Sequence, residues 1–463
     1  MGSYAPTKRT ETSVTAGTRR ADFVVVGAGF AGLAAAARLF AAGSSLVVVE
    51  ARTRLGGRVE TVHHEGYALD LGGSWIGTDH VRARTLVREL GLDTWPCHSD
   101  GATIVRDDGS RLDDRRYSIL HPLATIDYRL ASRRLDRMAQ RVSPMAPWTA
   151  DGASELDGRS LEDWLRRATR TERSRTTLRR TAANIFSSEP SEISLLHALF
   201  YIRSSGGLGP MLATAGGAQE LLVRGGAEQL AAGMARGLEG SLELGAPVRR
   251  IVHGTSGVRV EADALTVEAA AAVVAVPPGT AERIEFEPEL PADRSEVLRR
   301  MSPGDAVRMA DVYDTAFWRD EGLTGEAWGP KLPFSFTHDV SSPGGAPGVL
   351  ATFFVGERAR PIRELSPERR REVALAALVD CFGDRAARPR AHVERDWGSD
   401  EWTRGGYCSS MTPGLWSRYG SALRDPVGRL TWAGTETATE HAGYMEGALQ
   451  SGERAASEAL ALV

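Results

Sequence analysis

The chain has 463 residues, which is more than one ordinary hydrophobic core requires, so two domains are predicted. Apolar residues make up 42% of the chain and charged residues 25%, as is typical of a soluble globular protein. The formal net charge is −4 and no basic block occurs, so a nucleic-acid partner is not expected. No window approaches the roughly 18 apolar residues of a membrane-spanning helix, and no membrane partner is expected either.

The N-terminus and the cysteines bear on the compartment of the protein. Residues 1–20 are rich in Thr, Ser, Arg and Gly without an apolar stretch, which predicts a disordered tail rather than a secretory signal. The cysteines Cys97, Cys381 and Cys408 are few, odd in number and widely spaced. This pattern indicates neither a disulfide framework nor a metal site, and a reduced, cytoplasmic compartment is expected.

Residues 22–60 contain the order strand, glycine turn, helix, strand, acid that a dinucleotide-binding unit requires. The parts are a strand at 23–26, Gly27, Gly29 and Gly32, a helix to about residue 42, a strand at 46–49, and Glu50. Gly27 allows a tight turn, Gly29 lets the backbone approach a pyrophosphate, and Gly32 lets helix and strand pack closely. The pyrophosphate would lie at the positive helix end, and Glu50 would accept hydrogen bonds from ribose hydroxyls.

The remaining elements suggest that this α/β unit is interrupted by a second domain. Helices are predicted at 78–91, over most of 119–180, from a start at 188–192, after Gly225-Gly226, at 367–381 and at 443–462. Strands are predicted at 247–251, 258–260, 265–267, 272–276, 307–313, 333–336, 349–355 and 430–434. The simplest interpretation assigns residues 21–95, 215–300 and 415–463 to one discontinuous domain, and 96–214 and 301–414 to the other.

Four further segments carry a resemblance to a known family. They are Leu55-Gly56-Gly57-Arg58, Leu69-Asp70-Leu71-Gly72-Gly73-Ser74-Trp75, Ala433-Gly434-Thr435-Glu436-Thr437 and Gly443-Tyr444-Met445-Glu446-Gly447-Ala448. Together with the dinucleotide unit they resemble the flavin monoamine oxidase family over essentially the whole chain after residue 20. The resemblance implies an α/β fold in which a Rossmann-like FAD-binding domain is interleaved with an α+β substrate-binding domain. The latter is expected to contain an antiparallel sheet and a helical insertion.

The resemblance also implies a set of cofactor contacts. The expected FAD-binding residues are Gly27, Gly29, Gly32, Glu50, Arg52, Gly57, Arg58, Gly73, Ser74, Trp75, Val248, Gly434, Glu436, Tyr444 and Met445. Mitochondrial members of the family attach FAD through a cysteine immediately before the first tyrosine of the substrate cage. That position is Gly406 here, and Cys408 lies on the other side of Tyr407, so FAD is predicted to be bound non-covalently.

The substrate side rests on the family pattern of two tyrosines that face each other before the flavin. They correspond to Tyr407 and Tyr444, whose ring faces would steer an amine nitrogen, and Trp397 resembles the tryptophan that packs near the flavin. The usual lysine of the family is replaced by Arg308, which stays protonated. The pocket candidates are Gln219, His441 and His197, although a lone histidine in an apolar helix is more often a core residue.

The expected activity is therefore FAD-dependent amine oxidation. In the family, hydride passes from the amine α-carbon to flavin N5, the imine is hydrolysed, and dioxygen is reduced to hydrogen peroxide. Because Arg308 replaces the lysine, one alternative is a biosynthetic dehydrogenase or desaturase that uses oxygen poorly. A second alternative is an L-amino acid oxidase, in which Arg308 or an arginine of the helical insertion binds the carboxylate. A flavin-binding scaffold without turnover is a third. The expected partners are a small amine and dioxygen, and a homodimer is common in the family.

Overall fold

The computed structural model describes residues 17–263 and 265–463. The predicted tail over residues 1–16 therefore lies outside the described residues. Residues 17–20 were predicted to belong to the same tail, and this is wrong. They begin a long strand because Gly17 to Arg20 pair with residues 265–268 of a parallel neighbour, a partner that is remote in sequence.

The strands have the following bounds in chain order. They are β1 (Gly17–Val26), β2 (Leu46–Val49), β3 (Thr61–His64), β4 (Tyr67–Asp70), β5 (Trp75–Ile76), β6 (Thr94–Pro96), β7 (Ala102–Asp107), β8 (Ser110–Asp113), β9 (Leu221–Val223), β10 (Leu242–Glu243) and β11 (Val248–His253). The later ones are β12 (Val258–Ala262), β13 (Leu265–Val274), β14 (Glu285–Glu287), β15 (Ser302–Pro303), β16 (Ala306–Tyr313), β17 (Leu323–Trp328), β18 (Phe336–Asp339), β19 (Gly348–Val355), β20 (Ala391–Asp396), β21 (Ser409–Ser410) and β22 (Leu430–Trp432).

The helices are named in the same way. They are α1 (Phe30–Ala41), α2 (Val81–Glu89), α3 (Asp114–Leu120), α4 (Pro122–Ala139), α5 (Ala153–Asp157), α6 (Leu161–Ala168), α7 (Glu172–Phe186), α8 (Leu195–Ser204) and α9 (Leu208–Leu212). The later ones are α10 (Glu228–Met234), α11 (Pro278–Ala281), α12 (Ala292–Arg300), α13 (Phe317–Asp320), α14 (Ala359–Arg363), α15 (Pro367–Phe382), α16 (Trp416–Tyr419) and α17 (Met445–Ala461). None of the helices within the described ranges is long and apolar enough to cross a membrane.

An eight-stranded sheet forms the centre of the nucleotide-binding half. Its strand order is β10-β2-β1-β13-β12-β11-β14, and β22 also pairs with β13. Alternate residues of β1 face opposite sides: Phe23 and Val25 pack with α1, α10 and α17, whereas Val24 and Val26 pack in a separate apolar cluster. The strands come from all three segments predicted for this domain, but the exact domain boundaries stay a prediction.

Strand β13 differs from the sequence interpretation. Residues 265–267 were predicted as part of a small hairpin and residues 272–276 as a separate buried strand. The structure instead contains one continuous strand whose first half pairs antiparallel with β12 and whose second half pairs parallel with β22. The alanines stay extended because β1 provides a parallel partner along nearly the whole strand.

The other half combines an antiparallel sheet with helices. The sheet has the order β18-β19-β16-β20, and each of its neighbouring pairs is antiparallel. Helices α3 to α9 lie in the predicted helical insertion. A helix start at residues 188–192 was predicted there, and this is wrong. Helix α8 begins at Leu195 because the Ser194 hydroxyl caps it by accepting the His197 N–H. The predicted fold class, two interleaved α/β and α+β units, is confirmed.

Candidate active site

A continuous cavity of about 600 Å³ lies where the two halves meet. At one end it is lined by the glycine turn after β1 and the segment after β2. At the other end it is lined by β17, β18 and β19. Between them lie Gly72 to Trp75, Arg308, Trp397, Tyr407 and Tyr444. The cavity therefore joins a dinucleotide-type cradle to a separate pocket.

The glycine turn allows backbone atoms to approach one another closely. Gly27 has φ of +103°, and a Cβ atom there would lie 3.0 Å from the Ala275 carbonyl oxygen. A Cβ at Gly57 would lie 3.1 Å from the Cα atom of Gly29. Gly32 does not line the cavity, and a Cβ there would lie 1.8 Å from the Gly27 oxygen. Its absence of a side chain serves the packing of α1 on the turn, as the sequence predicts.

The acid that ends β2 is held by backbone amides. The buried Glu50 carboxylate accepts the N–H of Ala28 at 2.7 Å and the N–H of Arg52 at 2.9 Å. Each oxygen retains a lone pair that can accept a ribose hydroxyl, and Glu50 lines the cavity. The Arg52 side chain is fastened to Asp400, so it borders the cavity as part of an ion pair. Val248 lines the same end.

Glu436 has a different position from the one predicted. It does not line the cavity, and its carboxylate forms a two-pronged ion pair with Arg58, at 2.6 and 3.0 Å. It also accepts the Ser409 N–H, while Arg58 donates to the Tyr407 carbonyl oxygen at 2.9 Å. Burial opposes ionisation, but the charge and hydrogen bonds of Arg58 outweigh it and hold the pKa of Glu436 below its usual value. The pair therefore fixes the backbone around Tyr407.

Arg308 reaches the cavity from the antiparallel sheet. Its guanidinium donates from Nη1 to the Gly72 carbonyl oxygen and to the Ser74 hydroxyl, and it lies 5.3 Å from the centre of the Trp75 ring. Burial lowers the pKa of Arg308 to about 10, and the charge of Asp70 opposes this shift. The guanidinium therefore remains positively charged at neutral pH, beside the segment predicted to lie under the flavin ring.

The register of the sheet explains this placement. Phe336 on β18 pairs with Phe353 on β19, and Phe353 in turn pairs with Arg308 on β16. Residues in register project from the same face of a sheet. The three side chains therefore form a row along one wall of the cavity. The two phenylalanine rings are stacked, with their centroids 4.5 Å apart.

The predicted aromatic residues border the same cavity. Tyr407 and Tyr444 both line it, and burial raises the pKa of each phenol well above its usual value. Both phenols therefore stay neutral at any physiological pH. Trp397 also lines the cavity, and its indole N–H donates to the Leu71 carbonyl oxygen at 2.8 Å. Helix α17 begins directly after Tyr444, so Met445 and the helix N-terminus also face this region.

The three residues predicted to line the substrate pocket lie in different places. Gln219 lines the cavity and donates to the Met211 carbonyl oxygen at 3.2 Å. His441 does not line it and instead packs against His80 and, at a greater distance, Tyr444. His197 is a core residue whose Nδ1 accepts the Trp416 indole N–H, and burial lowers its pKa to about 3. The predicted pocket positions of His441 and His197 are therefore not found.

The sequence reasoning missed the polar pair at the far end of the cavity. Glu326 on β17 and His338 on β18 both line it, with His338 Nδ1 3.2 Å from a Glu326 carboxylate oxygen. The hydroxyls of Thr103 and Thr214 donate to the same carboxylate. Burial opposes its ionisation, but His338 and these hydrogen bonds hold the pKa of Glu326 below its usual value. The sequence does contain a signal for Glu326. It lies two residues before Trp328, and residues two apart on a strand project from the same face.

The residues present fit a flavin dinucleotide. The phenol oxygen of Tyr407 and the indole nitrogen of Trp75 are buried and have no hydrogen-bond partner among the described residues. Both belong to side chains that border the cavity, where a bound polar group can reach them. The glycine cradle at the other end accommodates a pyrophosphate.

The chain is similar to flavin enzymes over nearly its whole length. A family profile described as "Flavin containing amine oxidoreductase" matches residues 30–460. A Mycobacterium tuberculosis protein, AofH, whose name assigns it to the flavin-containing monoamine oxidases, is 40% identical over 96% of this chain and 97% of its own. Putrescine oxidase of Kocuria rosea is 36% identical over 95% of each chain.

Solved structures agree with these relatives. A putrescine oxidase structure, described as bound to putrescine, matches with a TM-score of 0.90 and 31% identity over 96% of this chain and 100% of that one. Cyclohexylamine oxidase from Brevibacterium oxydans matches with a TM-score of 0.89 and 31% identity, over 95% of this chain and 98% of that one. With the cavity and its glycine cradle, these matches establish that the chain belongs to the flavin-containing amine oxidoreductase family and is a flavin-dependent amine oxidase.

Proposed function

We propose that the protein binds FAD non-covalently and oxidises a primary amine, with dioxygen as the electron acceptor and hydrogen peroxide as the second product. The observation that carries this proposal is the continuity of the cavity from the Gly27 turn to Tyr407 and Tyr444. A dinucleotide of the length of FAD suits such a cavity, with its pyrophosphate at the turn. The cytoplasmic location and the homodimer expected from the sequence stay predictions.

The environment of Cys408 supports non-covalent binding. This thiol is buried and does not line the cavity, and burial raises its pKa to about 12. It is therefore a protonated thiol at neutral pH, which is a poor nucleophile. The residue that faces the cavity immediately before Tyr407 is Gly406, which has no side chain to attach.

The side chains of this site bind and orient the amine. When bound, a flavin would supply the two-electron acceptor for oxidation at the amine α-carbon. The rings of Tyr407 and Tyr444 hold the amine nitrogen, and the surrounding aromatic walls exclude water. Trp397 is held by its bond to the Leu71 carbonyl oxygen and supports the site from the β20 side. Arg308 lines the cavity and would place a fixed positive charge beside a bound flavin, which would stabilise negative charge there.

The far end of the cavity supports a particular class of amine. Its walls are mostly apolar, with Phe336, Phe353 and Trp328 among them, and Glu326 is the carboxylate at that end. The other cavity-lining acids, Glu50 and Glu401, belong to the dinucleotide end. We infer a substrate with an apolar body and a second cationic or hydrogen-bond-donating group, which would contact Glu326.

An L-amino acid substrate has less support. The arginines that line the cavity are Arg52, Arg58, Arg249, Arg283 and Arg308, and none comes from the helical insertion. Arg308 already donates to Gly72 and Ser74. A substrate carboxylate at the far end would also meet the negative charge of Glu326.

Anaerobic flavin absorbance tests the proposed function. The holoenzyme is mixed with primary monoamines, diamines and L-amino acids, and air is then admitted. We expect an amine to bleach the flavin and air to restore the colour with one peroxide per turnover. Bleaching by amino acids alone, or protein without flavin colour after purification in excess FAD, contradicts the proposal. Slow return of the flavin colour in air would identify a dehydrogenase, in which Arg308 does not perform the role of the family's usual lysine.

Replacing the far-end carboxylate tests the substrate class. In Glu326→Gln we expect kcat/KM for a diamine to fall about 10- to 100-fold, because a charge-assisted hydrogen bond worth about 1.5–3 kcal/mol is lost. The value for a monoamine of equal length should change little. Glu401→Gln is the matched control, since Glu401 lines the dinucleotide end. An equal loss for both amines in Glu326→Gln would refute a contact with the second amino group.

A further inference from the structure

One outer face of the helical insertion is both apolar and basic. We name it the α3–α4 surface. Its apolar members are Ile119, Leu120, Leu123, Ile126 and Leu130, which are 54% to 76% exposed. Its basic members are Arg115, Arg116, Arg129, Arg133 and Arg137, which are also exposed. Large apolar side chains this exposed are uncommon when they occur together, and such a patch marks an interaction site.

The helix spacing aligns these groups. Leu123, Ile126 and Leu130 are three and four residues apart, so they form one stripe along α4. Arg133 and Arg137 continue the stripe at the same spacing. The stripe is therefore apolar over its first two turns and basic over its last two, and the arginines of α3 precede it. A central apolar region with cations on both sides results.

The positive charge of this surface is not neutralised by the protein. None of its five arginines forms an ion pair with a described residue. Of the three acids on α3 and α4, Asp114 is exposed and forms no ion pair with a described residue, whereas the other two are already engaged. Asp127 is buried and accepts the backbone N–H groups of residues 170 and 171, and Asp136 accepts the Leu208 N–H. The guanidinium groups thus remain available to an external anion.

We propose that the α3–α4 surface docks the enzyme on a lipid bilayer that contains anionic lipids. The apolar stripe would enter the boundary between headgroups and acyl chains, and the arginines would contact lipid phosphates. Such a helix lies on a membrane and does not cross it. This mode of binding agrees with the absence of a helix in the described ranges that could span one.

The same charges argue against a second copy of the chain as the occupant. A symmetric dimer buries the same patch on both subunits, so it would bring two sets of arginines together. Helices α3 and α4 carry one exposed acid, Asp114, which is too little to neutralise the five arginines that each subunit would bring. The anionic headgroups of a bilayer complement the positive charge of the α3–α4 surface, whereas the same surface on a second copy of the chain would repel it.

The surface also adjoins the cavity. Helix α9 is attached to α4 through the hydrogen bond from the Leu208 N–H to Asp136. At the end of α9, Leu212 is 45% exposed and also lines the cavity. A docked bilayer would therefore lie close to one rim of the cavity.

Sedimentation with vesicles tests the proposal. The flavin-loaded full chain is mixed with phosphatidylcholine vesicles that contain either no anionic lipid or 30% phosphatidylglycerol. We expect binding to the anionic vesicles only, and a decrease as the salt concentration rises. In R133Q/R137Q the partition coefficient should fall about five-fold for each arginine removed. In L123S/I126S/L130S it should fall at least ten-fold.

Matched variants on α1 control for general effects. Arg38 and Phe40 are exposed there, away from the α3–α4 surface, so R38Q/F40S should bind vesicles like the parent. Flavin absorbance and amine turnover in solution should be unchanged in every variant, which shows that each is folded. Equal binding to neutral vesicles, or no binding at all, overturns the proposal. Concentration-dependent dimers that the α4 substitutions abolish, without vesicle binding, would also overturn it and identify a second copy as the occupant.

Discussion

Tyr407→Leu is expected to lower kcat/KM for the best amine by about 10- to 100-fold, whereas Tyr407→Phe is expected to retain most of the activity. The proposed role of Tyr407 depends on its aromatic face, which attracts and orients the amine nitrogen. Leucine fills part of the space but provides no such face, and misplacement of a reactant by about 1 Å can cost about 100-fold. Tyr444→Leu and Tyr444→Phe should have the same effects as the corresponding substitutions of Tyr407.

Steady-state and anaerobic kinetics separate this role from a structural one. The rate of flavin bleaching should fall in the leucine variants, while the flavin content and the melting temperature stay close to those of the phenylalanine variants. The phenylalanine variants serve as controls because they remove only the hydroxyl. If phenylalanine is as damaging as leucine, the hydroxyl of Tyr407 acts directly and the ring-face role is wrong. The phenol oxygen of Tyr407 is buried and has no hydrogen-bond partner among the described residues, so it is free to bond to a ligand.

Glu436→Gln is expected to destabilise the protein by about 3–5 kcal/mol, because it leaves the buried end of Arg58 without its counter-charge. The change should also weaken flavin retention, since Arg58 lines the cavity and holds the Tyr407 carbonyl oxygen. Urea unfolding with and without added FAD measures both effects. The pair stabilises the fold above the ordinary glutamate pKa, and that stabilisation is lost as the pH falls through the lower pKa of the folded state.

An exposed ion pair provides the control for Glu436→Gln. Glu296 and Arg299 form a pair within α12 whose side chains are both partly open to solvent, so Glu296→Gln should cost about 0.5 kcal/mol or less. If the two substitutions cost the same, the Arg58–Glu436 pair contributes no more than a surface pair. Its assigned role in holding the backbone of Tyr407 would then be wrong.

Features that depend on local backbone chemistry could be identified from the amino-acid order alone. The glycine turn, the acid after β2 and the motifs around residues 434 and 444 could be identified because each demands particular residues at short spacing. The family and the fold class followed from them, and both are confirmed. The family resemblance predicts that Arg308 takes the position of the usual lysine, on the strand after Gly304, and Arg308 lies on β16.

Contacts between side chains that are remote in sequence depend on long-range packing. Glu436 is directed to Arg58 because a salt bridge across 378 residues satisfies two buried charges, and no local pattern announces it. Glu326 and His338 come together at the cavity because β17 packs beside β18, whereas His197 bonds to Trp416 in a core. A strand or helix pattern specifies which residues share a face, but the partner of that face depends on long-range packing. For this reason the glycine turn and the acid after β2 could be located from the sequence, whereas the Glu326–His338 pair at the far end of the cavity could not.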